Sequence, residues 1–146
     1  MPATMQDFAQ LRFDLKKDDR SQIRALSIRQ PWPHRIFEEG KDIENRDWMT
    51  GYRGWFLIHA GKKYDGPHWP EAHSHLPRGG IVGAAKITDC VTGSDSEWFF
   101  GDFGFVLDRA FPIPLIECPG KLGFFKIDEQ RPMIIEALNQ MIRDKL

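Results

Sequence analysis

The residues that could do chemistry are concentrated in one short segment, "KDIENRDW", which runs from Lys41 to Trp48. Side chains on one face of a β-strand recur at every second position. If this segment is a strand, Glu44, Arg46 and Trp48 share one face. Lys41 comes just before them. Such a face is either a solvent-exposed strand with alternating charges or the wall of a binding site.

Residues suited to nucleotide recognition flank this segment on both sides. An arginine presents a fork of donors that matches a phosphate, and a Trp or Tyr presents a flat face on which a base can stack. A strand-helix-strand unit would bring such residues to one mouth of a small barrel. We therefore predict that Lys41, Glu44 and Arg46 bind a ligand together with Arg29, Gln30, Trp32, Tyr52 and Arg53.

Lys41 and Glu44 are also the candidates for catalysis, because a lysine beside a glutamate can donate and accept protons. A carboxylate about 4 Å from an ammonium group keeps that group charged, which favours phosphate binding over catalysis. We therefore prefer binding to turnover. We expect Glu44 to orient Lys41, and Arg46 to hold a ligand phosphate or a paired acid.

A second aromatic segment is "SEWFFGDFGF", residues 96–105. Aromatic side chains on strands usually belong to the core. Trp98 differs from the others because the polar residues Ser96 and Glu97 precede it. We predict that Trp98 lies at the rim of the site and offers a stacking platform.

Residues 61–80 form a polar segment, rich in Gly and Pro, that is long for a loop inside a compact domain, and such loops are often functional. The segment contains His68, His73 and His75, and His59 precedes it. The His-x-His pair could ligate a metal, although the spacing fits no zinc pattern. The alternative is a surface loop with titrating histidines. We expect no metal and no cofactor, and we expect His59 to pack at a strand end.

Apolar runs and the breaks between them predict the secondary structure. We predict helices at residues 31–39 and 129–146, and strands at residues 25–28, 41–48, 55–60 and 81–91, with two more between 103 and 127. The last two strands would be separated by Pro112, Pro114, Pro119 and Gly120. This pattern favours a mainly β, α+β fold. It would be a small closed or nearly closed β-barrel of about five or six strands, with the early helix at its mouth and a C-terminal helix.

The chain divides into three segments in this interpretation. Residues 24–128 form the domain, residues 129–146 a C-terminal helix packed on it, and residues 1–23 an extension or short helix. Phe8, Leu11 and Leu15 fall at helical spacing, and "KKDDRSQ" after them is polar and typical of a linker. We expect residues 1–23 to be dispensable for the barrel and to pack on the domain or on a protein partner.

Composition and charge narrow the class of protein. The 146 residues suit one domain, and a net charge of -1 excludes a uniformly basic nucleic-acid module. Residues 24–63 nevertheless hold 8 Lys/Arg against 5 Asp/Glu, and residues 88–118 hold 1 against 6. The 2 cysteines are far apart, which favours reduced thiols. Because we find neither a membrane-length apolar run nor a signal peptide, we expect a cytoplasmic protein without membrane association.

Three motifs, "ALSIRQPW", "GKDIENRDW" and "YRGWFLIHA", resemble in this order the ASCH domain, named for activating signal cointegrator homology. The second is similar to the family signature Gly-x-Lys-x-x-Glu-x-Arg. Lys41, Glu44 and Arg46 match it, and Glu39 stands at the first glycine. Weaker similarity continues to residue 127. The resemblance implies a PUA-like β-barrel, a cleft lined by the three signature residues, and binding of RNA or another nucleic acid.

The resemblance also implies two enzymatic alternatives. One branch of the family looks like an amidohydrolase that removes the acetyl group of N4-acetylcytidine with a Lys, a Thr and a distant Glu. Here Lys41 matches the Lys, Glu44 stands at the Thr position, and Lys86 lies where the distant acid is expected. Another member is reported as a ribonuclease. The preferred prediction is binding of RNA, a nucleotide or a modified nucleoside. The alternatives are a hydrolase and a protein-interaction module acting through residues 1–23.

Overall fold

The computed structural model describes residues 2–17, 22–66 and 75–146. Within these ranges the helices and strands follow one another as α1 (Met5–Lys17), β1 (Arg24–Ser27), α2 (Trp32–Glu38), β2 (Ile43–Arg46), β3 (Gly54–Ala60), β4 (Gly80–Val91), β5 (Phe103–Glu117), β6 (Phe124–Lys126) and α3 (Arg131–Lys145).

The strands form a sheet in the order β2-β5-β4-β3-β1-β6. β1 pairs in parallel with β3, with Ala25 opposite Leu57, and the chain between them crosses over through α2 and β2. The other neighbouring strands pair antiparallel. The crossover carries α2 and β2 past the end of β1, and the predicted site residues Trp32, Glu44 and Arg46 lie on these two elements.

The sheet curls so that β5 approaches the edge strand β6. Phe105 on β5 and Phe124 on β6 are four strand spacings apart, which is about 19 Å in a flat sheet. Their ring centroids are instead 6.3 Å apart, and Trp48 contacts both rings at 5.2 and 5.9 Å. The predicted mainly β barrel with flanking helices is therefore confirmed, in the form of a six-stranded half-barrel that aromatic side chains fill.

The apolar strand β3 is buried on both faces because the sheet lies between two cores. Phe56 and Ile58 pack inside the curl, with Ile36 of α2. Trp55 and Leu57 alternate with them and pack on the opposite face. α2 therefore sits at the mouth of the half-barrel, as predicted, and its first turn adjoins the site.

The helices α1 and α3 cover the outer face of the sheet. Phe8, Leu11 and Leu15 of α1 are buried in one cluster with Ile134 and Leu138 of α3. Both predicted terminal helices thus form, and both pack on the sheet. Residues 18–21 of the predicted linker lie outside the described residues. The division of the chain at residue 24 and the dispensability of residues 1–23 stay predictions.

One predicted strand break is wrong, because Pro112 and Pro114 lie inside β5. β2 pairs with β5 only as far as Val106, so the rest of β5 has β4 on one side and needs no donor on the other. β5 bends at a β-bulge rather than at the prolines. Arg109 takes a φ of 58° where the register between β4 and β5 shifts, which is the signature of a β-bulge.

Among the described residues, no helix has both the length and the apolar character needed to cross a membrane. The cytoplasmic localisation stays a prediction.

Candidate functional site

A cleft of about 470 Å³ opens where the end of β1, the start of α2, β2 and the segment before β5 meet. The structure brings together six of the nine predicted ligand-binding residues in its lining: Arg29, Trp32, Lys41, Glu44, Arg46 and Trp98. Five of these come from the crossover and one, Trp98, from a segment more than fifty residues later. The long loop before β5 therefore completes a site that the crossover begins.

Lys41 is the most enclosed basic group of the cleft. Its side chain lies before β2 and is 5 % exposed, and its Nζ donates to the carbonyl oxygen of Ile43. The Nζ lies 5.6 Å from the ring centroid of Trp32 and 5.9 Å from that of Trp98, within cation–π range of both. The two predicted aromatic platforms thus both face this ammonium group.

Glu44 and Arg46 form a pair beside Lys41. Both Nε and Nη2 of Arg46 lie 3.0 Å from Oε2 of Glu44. The other carboxylate oxygen, Oε1, lies 4.0 Å from the Nζ of Lys41. Glu44 is 7 % exposed, so its carboxylate is held between two cationic side chains away from bulk water.

Burial has a larger effect on the pKa values of Lys41 and Glu44 than the opposite charges beside them. Burial lowers the pKa of Lys41 from its ordinary value, and the charges of Glu44 and Asp42 only oppose this. Burial likewise raises the pKa of Glu44 against the opposing influence of Arg46 and Lys41. The two pKa values therefore move towards each other. The expectation that Glu44 orients Lys41 and keeps it charged stays a prediction. The charge of Glu44 acts in that direction, and the larger effect of burial acts against it.

The cleft also contains an amide, two acids and an aromatic residue that the sequence analysis missed. They are Asn45, Asp47, Asp65 and Phe100. Asp65 accepts a hydrogen bond from Nε1 of Trp32 at 2.6 Å. The length and polarity of residues 61–80 were a signal for Asp65, since long loops in compact domains are often functional. Asn45 lies between the signature residues Glu44 and Arg46, and Asp47 follows Arg46 directly after β2.

Asn45 connects β2 to the segment that carries Trp98. Its Nδ2 donates to the carbonyl oxygen of Trp98 at 2.9 Å, and its Oδ1 accepts from the backbone N–H of Phe100 at 2.8 Å. Asp42 adds a third link by accepting from Oγ of Ser96 at 2.5 Å. These hydrogen bonds place the Trp98 ring over Lys41.

Gln30 lies behind the cleft rather than in it. It is 2 % exposed, its Nε2 donates to the carbonyl oxygen of Pro77 at 3.0 Å, and its Oε1 accepts from the backbone N–H of His34 at 3.2 Å. Its own carbonyl oxygen accepts from the backbone N–H of Asp65 at 2.9 Å. The structure thus places Gln30 where it holds Asp65 beside α2.

Tyr52 and Arg53 lie away from the cleft. The hydroxyl of Tyr52 donates to the carbonyl oxygen of Trp55 and accepts from the backbone N–H of Arg24, at the start of β1. Arg53 donates to the carbonyl oxygens of Thr50 and Tyr52. The cleft lies at the other end of β1, about 13 Å away at the usual rise of a strand. We predicted both residues in the cleft because they are close to Arg46 in sequence. The chain crosses the half-barrel between β2 and β3, so both residues lie at its other end.

The histidines do not converge on the cleft in the described part of the chain. His59 is 2 % exposed and packs at the end of β3, as predicted, with its ring nitrogens 2.9 Å from Oγ of Ser27 and 2.8 Å from the carbonyl oxygen of Cys118. His68 and His73 lie outside the described residues. Within residues 2–17, 22–66 and 75–146, no three His, Cys, Asp or Glu residues are placed to hold a metal ion.

Comparison with known proteins gives one family. The family model described as ASCH domain matches residues 26–117, which is more than half of the chain. A search of curated proteins finds no match. The matched residues run from β1 to the end of β5 and include every signature residue of the cleft, on a half-barrel of the PUA-like kind that the resemblance predicts. This chain belongs to the ASCH domain family.

Proposed function

We propose that this protein binds RNA through the cleft, with one base stacked on the Trp32 and Trp98 platforms above Lys41. The observation that carries the proposal is that the buried Nζ of Lys41 lies 5.6 and 5.9 Å from the ring centroids of two half-buried tryptophans. Stacking of a base on an aromatic ring is favourable and tolerates any base. The RNA-binding character that the family suggests agrees with this reading.

The charges of the cleft favour a short single-stranded ligand over a duplex. The lining carries Arg29, Lys41 and Arg46, and it also carries the acids Glu44, Asp47 and Asp65. A duplex-binding surface is much more positive than this. A volume of about 470 Å³ suits one nucleotide and leaves room for few phosphates.

Arg29 is the best candidate for a phosphate contact. Its side chain is exposed at the cleft and forms no ion pair or side-chain hydrogen bond with any described residue. Arg46, in contrast, already donates to Glu44 and to Ser27. We therefore assign the phosphate to Arg29 and the pairing of the buried acid to Arg46, while the amine of Lys41 faces the base.

The test is binding of single-stranded RNA hexamers, measured by fluorescence anisotropy, and of nucleoside monophosphates, measured by calorimetry. Lys41→Met should weaken binding about tenfold or more, since a charged donor is lost. Arg29→Ala should weaken it and lower the salt slope by roughly 0.7. Lys121→Met, an exposed lysine outside the cleft, is the control and should change neither. If the wild type binds no RNA and no nucleotide, the proposal fails.

A second candidate, hydrolysis of a modified nucleoside, rests on the shifted pKa values of Lys41 and Glu44. A lysine whose pKa is lowered and a glutamate whose pKa is raised exchange a proton at lower cost than an ordinary pair. Asp65 supplies an acid at the cleft, although the strand position expected for the distant acid carries Lys86. Conversion of N4-acetylcytidine and water to cytidine and acetate, lost in Lys41→Met and in Glu44→Gln, would favour this candidate. Its absence in the wild type would exclude it.

The protein-interaction alternative has less support from the packing. The apolar side of α1 that would bind a partner is covered by the domain, since Phe8, Leu11 and Leu15 are buried. A partner for residues 1–23 stays a prediction. It would have to contact the outward side of α1, where Phe13 is 58 % exposed.

A further inference from the structure

A further aromatic ring lies exposed directly beside the cleft. Phe100 is 67 % exposed, and it borders both the cleft and a shallower depression of about 230 Å³. Asn45, Arg46 and Asp47 border both hollows as well. The depression is therefore a continuation of the cleft, and Phe100 stands where the two meet.

The backbone that carries Phe100 is fixed by the same residue that fixes Trp98. The backbone N–H of Phe100 donates to Oδ1 of Asn45 at 2.8 Å, and Nδ2 of Asn45 donates to the carbonyl oxygen of Trp98 at 2.9 Å. Between them, Phe99 packs on the backbone at Gly104, so closely that a Cβ there would lie 2.8 Å from its ring. Trp98 and Phe100 thus face the ligand side while Phe99 faces the sheet.

The charge around Phe100 indicates which part of a nucleotide would occupy the depression. Asp47, Asp102 and Arg46 border it. The charge of Arg46 is paired with Glu44, so the two remaining carboxylates would repel a phosphate. A base carries no charge and offers a flat face that stacks on a Phe ring. A neighbouring nucleotide would therefore place its base on Phe100 and keep its phosphate outside the depression.

We propose that Phe100 is the stacking platform for a second base, so that the ligand of this protein is a single-stranded RNA segment of at least two nucleotides rather than a free mononucleotide. This inference rests on the proposed function, because it extends the same cleft. The base in the cleft stacks on the Trp32 and Trp98 platforms, and the adjacent base stacks on Phe100 in the depression. A mononucleotide fills the first position alone and gains nothing from the second.

The experiment compares the affinity for nucleoside monophosphates with the affinity for RNA dinucleotides and hexanucleotides, each as the four homopolymeric sequences. The wild type should bind its best dinucleotide about five- to a hundredfold more tightly than the matching monophosphate, which is the range for one base–aromatic stack. In Phe100→Ala this ratio should fall towards one, whereas Phe100→Trp should keep or raise it. Phe13→Ala removes another exposed Phe, on α1, and should leave the ratio at its wild-type value.

The outcomes separate the two proposals. A wild type that binds monophosphates and dinucleotides equally, or a Phe100→Ala variant that keeps the wild-type ratio, overturns the second stacking position and leaves the cleft proposal in place. A wild type that binds neither kind of ligand overturns both. A protein that binds dinucleotides with a ratio that depends on Phe100 and not on Phe13 supports both. Because Phe100 is largely exposed, its replacement should leave the fold intact. Circular dichroism of each variant checks this.

Discussion

Arg46 connects two strands that are not neighbours in the described sheet. From β2, its Nη2 donates to the carbonyl oxygen of Ser27 at the end of β1, at 2.7 Å. β6 pairs with β1 only as far as Leu26, so this carbonyl oxygen lies beyond the last residue that β6 covers. Nε of the same guanidinium donates to Glu44. One side chain therefore closes the curled sheet beside the cleft and also pairs the buried carboxylate.

Arg46→Met should destabilise the fold and not only the cleft. The change leaves the carboxylate of Glu44 buried without its hydrogen-bonded partner, and it leaves Ser27 without this donor. Removing one member of a buried pair costs roughly 3–5 kcal/mol, and the partial exposure of Arg46 places the expected loss near about 3 kcal/mol. Urea unfolding of both proteins measures this difference in the free energy of unfolding.

Two controls distinguish the buried pair from ordinary charge effects. Arg53→Met removes an exposed partner of Asp89 and should cost less than about 1 kcal/mol. The double change Arg46→Met with Glu44→Gln should be more stable than Arg46→Met alone, because it also removes the buried carboxylate charge that Arg46 paired. A loss below about 0.5 kcal/mol in Arg46→Met would contradict the bridging role, since surface changes are of that size.

Stability should depend on pH through Lys41. Because its pKa is lowered in the folded protein, the unfolded chain binds more protons between that folded pKa and the ordinary value of 10.5. The contribution of Lys41 to the free energy of unfolding therefore rises as the pH rises through this window. The difference in unfolding free energy between wild type and Lys41→Met should increase from pH 7 towards pH 10.5. A flat or falling difference would contradict the burial of this amine.

Glu44 should give the opposite slope at lower pH. Burial raises its pKa in the folded protein, so the folded state binds more protons than the unfolded chain above the ordinary value of 4.5. Its contribution to stability is therefore present at low pH and is lost as the pH rises through the folded pKa. The unfolding free energy of wild type minus that of Glu44→Gln should fall as the pH is raised from 4.5. A difference that rises over this range would show that Arg46 outweighs burial.

Local pattern and family resemblance were sufficient for most of the elements, but not for the unbroken β5, and for the signature residues. The run from Trp55 to Ala60 predicted a buried strand, and the spacing of Phe8, Leu11 and Leu15 predicted a helix; both form. Lys41, Glu44 and Arg46 were expected in one cleft, and they line one. These features depend on side-chain periodicity, which the sequence carries directly.

The remaining features depend on how the chain crosses the sheet, and this path cannot be predicted from side-chain periodicity. Tyr52 follows Arg46 closely in sequence but reaches the opposite end of β1. Asp65 is distant in sequence but reaches Trp32, because Gln30 holds its backbone. The protonation balance of Lys41 could not be judged from the charges beside it, since burial is the larger influence.

The contacts of α1 lead to a prediction about residues 1–23. Leu11 is fully buried, so Leu11→Ala should cost about 2–5 kcal/mol. Deletion of residues 1–23 removes Phe8 and Leu15 as well and should cost more than this single change. Thermal unfolding measures both, with Phe13→Ala as the matched exposed control on the same helix. A deleted chain that unfolds at the wild-type temperature would instead support a domain that begins at residue 24.

The last prediction concerns Asn45, which contributes to the cleft by holding the segment of Trp98. Asn45→Ala removes its hydrogen bonds to Trp98 and Phe100, and we expect a stability loss of about 1–2 kcal/mol. RNA affinity should fall by nearly the factor seen for Trp98→Ala, because the indole ring is no longer fixed over Lys41. Asn45→Asp keeps the acceptor for Phe100 and loses the donor to Trp98, so its affinity should be intermediate.

A double-mutant cycle decides whether Asn45 acts through Trp98. If it does, adding Asn45→Ala to Trp98→Ala should weaken RNA binding little further, since the ring that Asn45 positions is already absent. If the two changes are additive, Asn45 contacts the ligand itself or acts through Phe100 alone. The comparison is informative because Asn45 lines the cleft while both ends of its amide are already occupied by backbone groups, which leaves positioning as its main contribution.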